Sequence, residues 1–189
     1  MDDDQAYALA RLIQVFGELG IAYTVVGSLA SSTRGLPRLT RDFDLLADVR
    51  RQHIARLVAA LQDEYYVDAT AIADAVQSSG SFNIIHVASV FKIDIFVVGG
   101  NPIRRTEVLR SLSEDVHGIP LNVASAEDVI VSKLHWYRTG GETSERQWQD
   151  VLEVLTVQGS TLDLDYMHDM AGELGVTDLL ERALAEAAS

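Results

Sequence analysis

Apolar residues recur at helical spacing through Leu9, Leu12, Ile13, Phe16 and Leu19, which predicts an opening helix closed by Gly17 and Gly20. The run from Ala22 to Gly27 then reads as a short buried strand. Ser28 follows as the expected N-cap of a short helix that runs towards Arg34, and Gly35 and Pro37 break it. Phe43 to Val49 reads as a second strand, and Ile54, Leu57, Val58 and Leu61 mark the apolar face of a second substantial helix.

Two β-branched and aromatic runs, FNIIHVAS and VFKIDIFVV, are separated by almost nothing, so they predict an antiparallel hairpin turning near Ala88 to Val90. Strand alternation puts Ile93, Ile95 and Val97 on one face and Lys92, Asp94 and Phe96 on the other. A weaker strand pair is expected around Asp115 to Ser125, with Gly118 and Pro120 near its turn. Ser125 with Asp128 has the form of a capping box, opening a helix through Ile130, Val131, Leu134 and Trp136. Arg146 to Gln158, about Asp163 to Gly175, and the alanine-rich end complete a helical C-terminal part. The pattern implies an α+β fold: a mixed sheet flanked by helices, then a helical segment.

At 189 residues and nearly half apolar, the chain can bury one substantial core. It has no cysteine, which excludes disulfides, thiolate nucleophiles and cysteine-held metals, so any metal must take oxygen or imidazole ligands. No apolar run approaches membrane-spanning length, and the acidic start Met1-Asp2-Asp3-Asp4 is unlike a signal peptide, so no membrane partner is expected and the expected location is cytoplasmic. A formal charge of −13 argues against a broad nucleic-acid surface. Against that background Arg34, Arg38, Arg41, Arg50, Arg51 and Arg56 crowd one segment. The first three are expected to be used chemically, and the last three read equally well as a solvated face.

The candidate chemistry lies in the same segment. Asp42 and Asp44, two apart on a predicted strand, share one face, and two carboxylates held that close repel unless a cation lies between them. Asp94 sits between Ile93 and Ile95, where an unpaired charge is costly; a pairing with Lys92 is the structural alternative. The Gly27-Ser28 turn leads from strand into helix and aims backbone N–H groups and a hydroxyl at an anion. Three carboxylates can hold one or two Mg2+ ions, or Mn2+, with positions left for phosphates, and Arg38 and Arg41, bracketing Thr40, can clamp a phosphate.

Gly27-Ser28, the stretch Arg38 to Asp44 and Asp94 within KIDIF together resemble the nucleotidyltransferase superfamily typified by DNA polymerase β, most of all its small bacterial abortive-infection toxin-type members. The resemblance extends to Ser125–Arg138 and Arg146–Leu155 and touches most of residues 20–157. It implies a catalytic core over 1–124 with a helical region, 125–189, packed on it. Asp42, Asp44 and Asp94 would be the metal-binding and catalytic carboxylates, and Gly27, Ser28, Arg38, Thr40 and Arg41 the nucleotide-binding set. Lys133 matches a lysine that neutralises phosphate charge, and Asp150 a carboxylate of the last motif. The residues themselves equally allow Lys133 to be a snorkelling surface lysine and Asp150 a solvated helix carboxylate. The family often carries a basic residue before that aspartate and a second aspartate three beyond it, where this chain has Gln149 and Glu153.

The activity so implied is Mg2+-dependent transfer of a nucleoside monophosphate from a nucleoside triphosphate, ATP among the candidates, to a hydroxyl. The acceptor would be a transfer RNA, a protein or a small molecule, in a setting that could include a cognate toxin or antitoxin partner. The alternative is a degenerate copy of the fold that binds without turnover. The histidines show no metal-ligand spacing, and Trp136, Tyr137 and Trp148 are expected to pack the C-terminal helices rather than to stack a base.

Overall fold

Alternating burial along the strands sets the architecture. In the computed structural model, which describes residues 3–36 and 43–188, β5 (Phe91–Val97) buries Phe91, Ile93, Ile95 and Val97, while Lys92, Asp94 and Phe96 face the other way. Its hairpin partner β4 (Ser81–His86) buries Phe82, Ile84 and His86 in the same rhythm. On the other side β5 runs parallel to β2 (Phe43–Ala47), with Ile93 opposite Phe43 and Asp94 opposite Asp44.

β2 in turn pairs antiparallel with β1 (Tyr23–Val26), placing Val26 opposite Asp44. The short β3 (Tyr65–Tyr66) adds to β4, and the hairpin β6 (Leu112–Val116) and β7 (Ile119–Val123) adds to β1 through a parallel Val25–Val123 pairing. The seven strands lie in the order β3-β4-β5-β2-β1-β7-β6. The β6–β7 turn is the pair His117-Gly118, both at positive φ, the turn geometry that matches the twist of a two-residue hairpin. Pro120, opposite Asp115, is a strand residue rather than part of that turn.

One face of the sheet is closed by α1 (Asp3–Leu19), α3 (Ile54–Leu61) and α4 (Ala69–Ser78), which pack in sequence against one another. Leu9, Leu12 and Phe16 of α1 are fully buried, Phe16 touching the Tyr23 ring. The Tyr65 hydroxyl donates to the Ala8 carbonyl, so its buried oxygen is satisfied. The other face carries α2 (Gly27–Arg34) and α5 (Pro102–Arg110), both against β1 and β2, and α6 (Ala126–Thr139) against α2. α7 (Glu145–Gln158), α8 (Leu164–Leu174) and α9 (Thr177–Ala187) then pack on α6 and on one another. Ser125, Ser144 and Asp163 cap the starts of α6, α7 and α8 through side-chain oxygens.

Several expectations change. β3, α4 and α5 were not expected; β3 is two residues long and α5 is largely polar, while Asp68 and the Asn101-Pro102 pair are ordinary start signals for α4 and α5. Ser28 does not cap α2: the helix already begins at Gly27, Val26 holds the cap position, and no side-chain bond caps it. Gly17 lies inside α1, and Gly20 ends it.

Arg34, expected to serve chemistry, instead ties the sheet together. It is 8% exposed, and its guanidinium donates to the carbonyls of Ala124 and Val123 and pairs with Glu114. These bonds tie the end of α2 to Val123 at the end of β7 and to Ala124 just beyond it. Arg34→Ala is expected to lower stability by about 1–3 kcal/mol, since a buried acceptor stripped of its donor costs that much, with Arg34→Lys recovering part of the loss. Urea unfolding of the three proteins, compared at constant slope, checks it.

Candidate functional site

Asp44 and Asp94 occupy matching positions on adjacent parallel strands, so their side chains leave the same face of the sheet side by side. Both are half-buried. Asp94 also pairs with Lys92 at 2.6 Å, the structural alternative expected for it, on the solvent-facing part of the sheet. Directly across from Asp44, the chain leaves β1 and turns into α2 at Gly27, whose φ is +63°. A Cβ on Gly27 would lie 2.1 Å from the Asp44 carboxylate oxygen, so only glycine lets the helix start so close to that carboxylate.

The first turn of α2 has backbone N–H groups without intrahelical acceptors and points its positive end at this spot. The Ser28 hydroxyl accepts from the guanidinium of Arg146, in the first turn of α7, at 3.3 Å. Arg38, Thr40, Arg41 and Asp42, the remaining members of the expected set, lie outside the described residues. Among the described residues no group of three or more Asp, Glu or His side chains converges as a metal site. The pair Asp44 and Asp94 nonetheless fits a hard cation in donor type and juxtaposition, two carboxylates at matching positions on one face of the sheet.

Lys133 and Asp150 are not surface residues. Each is 4% exposed, and Lys133 Nζ lies 2.7 Å from Asp150 and 3.0 Å from Gln147 Oε1, which joins α6 to α7. Ser31 of α2 also reaches Asp150, so one carboxylate links three helices. The departures from the family pattern, Gln149 and Glu153, bond to each other one turn apart on the outer side of α7.

Lys133 and Gln147 border a cavity of about 370 Å3. Gly27, Ser28 and Asp44 line it with them. Leu46 and Phe96 form its floor on the sheet, with Ile103, Val129 and Trp136 above. Trp136, expected to pack helices, is instead 54% exposed at the cavity wall and touches Phe96, with ring centroids 6.2 Å apart. Tyr137 and Trp148 do pack as expected, 5.3 Å apart and buried.

No protein-family model matches the sequence, and no curated protein matches it. Solved structures do. Antibiotic-resistance factor ANT(2'')-Ia superposes with a TM-score of 0.59 over 96% of this chain and 97% of its own, at 13% identity. An antigenic nucleotidyltransferase-like protein from Paracoccidioides brasiliensis gives a TM-score of 0.56 over 98% and 94% of the two chains, at 14% identity. The lincosamide antibiotic adenylyltransferase LnuA, solved with lincomycin bound, gives 0.52 over 83% and 98%, at 12% identity. The chain has the nucleotidyltransferase fold.

On this nucleotidyltransferase fold, the structure brings Gly27, Ser28, Asp44 and Lys133 to one cavity, and sets Asp94, outside its lining, opposite Asp44 on the next strand. Asp150 stands behind Lys133 rather than in the cavity lining. Two further contributors carry no sequence signal. Arg146 is one exposed arginine at a helix start. Glu107 lies in the polar stretch of α5, yet is buried under α6, with Ser132 donating to its carboxyl.

Burial, reinforced by the nearby Asp128 carboxylate, pushes the Glu107 carboxyl up to about 8, against the opposing effects of Arg104 and Ser132. The folded chain therefore holds a proton on Glu107 that the unfolded chain releases near the ordinary glutamate value. Stability from this group is complete below about pH 4.5 and is lost as pH rises towards about 8. The unfolding temperature of Glu107→Gln is expected to fall less than that of the parent between pH 5 and pH 8, which differential scanning calorimetry across that range checks.

The Lys133–Asp150 pair generates a second expectation. Lys133→Met or Asp150→Leu alone removes one member of a buried ion pair and costs about 3–5 kcal/mol, whereas the double variant costs much less than the sum. A double-mutant cycle in denaturant measures it.

Proposed function

We propose that this protein transfers a nucleoside monophosphate from a nucleoside triphosphate to a hydroxyl. The observation that carries the reading is the meeting, at one cavity, of the α2 start at Gly27-Ser28, the Asp44 carboxylate and the Lys133 cation. The triphosphate takes the α2 start, where free N–H groups and the helix dipole favour anions. Among the described residues, Arg146, already against Ser28, and Lys133, in the cavity lining, supply cations for its phosphates. Asp150 and Gln147 hold the Lys133 ammonium in place, a positioning role.

Asp44 and Asp94, with Asp42, are the residues that would hold Mg2+, which when bound offsets charge on the phosphoryl oxygens. The acceptor oxygen forms its bond to the α-phosphorus as the bond to the bridging oxygen breaks and pyrophosphate leaves. The acceptor's proton passes to Asp94, which stands on the open side of the sheet, or onward to water. The protein's part is mainly orientation and fixed charge.

A small molecule is the favoured acceptor. The formal charge of −13 disfavours a long nucleic acid, and the fold's relatives include ANT(2'')-Ia, solved with adenylyl-2''-tobramycin, and lincomycin-bound LnuA. A transfer RNA or a protein hydroxyl, in a toxin–antitoxin setting, is the second acceptor class and rests on the sequence resemblance alone.

The test is incubation with each α-labelled nucleoside triphosphate and magnesium against aminoglycosides, lincosamides, transfer RNA and lysate protein. Label is expected on one acceptor class and is expected to fall at least a thousandfold, about 4 kcal/mol of transition-state stabilisation, in Asp44→Asn, whose fold calorimetry should find intact. Chelation of divalent cations should have the same effect. Absence of label from every acceptor, together with absence of triphosphate binding, would leave a binding module instead.

A further inference from the structure

The cavity is larger and less polar than a triphosphate needs. Its lining includes Leu46 and Phe96 of the sheet, Ile103, Val129 and Trp136 of α5 and α6, and the polar groups Asn101, Arg104, Glu107 and Ser132. Phosphates have no use for apolar walls, whereas a flat ring does. Asp94 is not among the lining residues. The acceptor hydroxyl, which must reach the phosphorus from the side opposite the leaving pyrophosphate, therefore comes over the exposed β4–β5 surface around Asp94. The space under α5 and α6 is left to the nucleotide's other end.

We propose that this space receives the nucleobase, and that the Glu107 carboxyl, oriented by Ser132, reads the base's hydrogen-bonding edge. The inference rests on nucleotidyl transfer as proposed above and extends it to a specificity-determining residue. A protonated carboxyl carries one donor and one acceptor side by side. Each nucleobase presents such an adjacent pair on its pairing edge, so a neutral Glu107 is complementary where an ionised one would oppose the ring-nitrogen acceptor of adenine or cytosine.

The surroundings keep the carboxyl in that form. It is buried, Asp128 faces it from α6, and Tyr166 of α8 lies close enough to feel its charge. Lys133 on α6 is held by Asp150 and Gln147. Arg104, one turn before Glu107, spends its guanidinium on the carbonyls of Ser79 and Val97 at 2.7 Å each.

The test is calorimetric binding, with magnesium, of α,β-methylene analogues of the four nucleoside triphosphates, of base-free ribose 5-triphosphate and of inorganic tripolyphosphate. At least one nucleoside analogue should bind roughly tenfold tighter than ribose 5-triphosphate, the increment of about one well-made hydrogen bond with its ring contacts. Glu107→Ala should erase that margin without changing tripolyphosphate binding, and Glu107→Gln, which keeps a donor and an acceptor, should retain it. For an adenine or cytosine analogue the margin should shrink as pH rises from 7 to 9 in the parent and stay level in Glu107→Gln, a difference that a purely structural glutamate would not produce.

Equal binding of the nucleoside analogues and ribose 5-triphosphate would overturn the proposal while leaving triphosphate recognition standing. A margin indifferent to both pH and Glu107→Gln, with Glu107→Ala folded and unchanged, would overturn it equally. Failure of every phosphate to bind would remove both this proposal and the transfer reading beneath it.

Discussion

The closeness of Gly27 to the Asp44 carboxylate governs the site. Two strands of opposite direction set Val26 against Asp44, and the next residue must begin a helix in space that the carboxylate nearly fills. A side chain there would push α2 away from the sheet. With α2 would move Ser31, which reaches Asp150, and Arg34, which reaches β7. The anion-binding helix start, the carboxylate face and the wall of C-terminal helices thus share one steric condition. Its residue is the smallest in the chain.

Much of the scaffold could be read from period alone, because burial on one side forces strict alternation. The Phe91–Val97 strand and its hairpin partner are the clearest cases, with buried and wet positions falling where alternation puts them. The start and stop of α8 at Asp163 and Gly175 follow from a cap and a terminal glycine. α5 was hidden because it is polar over most of its surface, and α4 because its short stripe, Ile72, Ala75 and Val76, is set among alanines and polar residues. Ser28 illustrates a different limit: a serine after glycine looks like a cap, but the tight strand exit lets the helix begin one residue sooner.

The site was legible to the extent that charge on a strand is costly. Asp44 and Asp94 stand out in apolar runs, and their alignment across β2 and β5 adds the long-range register that no linear pattern contains. Lys133 and Asp150 were ambiguous between solvent and interior, since a helix position beside apolar neighbours can face either way, and the packing of α6 on α7 decides it. Glu107 could not be picked out at all. Its environment is made by α6 and α8, segments that follow it by a turn of sheet, and the same residue on an uncovered α5 would be one more surface glutamate.

The sheet order also dictates when the molecule can become whole. β1, among the first strands to be made, has β7 as its outer neighbour, and Arg34 bonds to Ala124 at a separation of 90 residues. During synthesis β1 therefore waits with one edge open until the β6–β7 hairpin has emerged, and contacts this distant in sequence form slowly. An emerging chain stopped before that hairpin would present an apolar, unpaired edge to its surroundings. The same long-range closure that completes the cavity wall makes the early chain a client for whatever shields nascent strands.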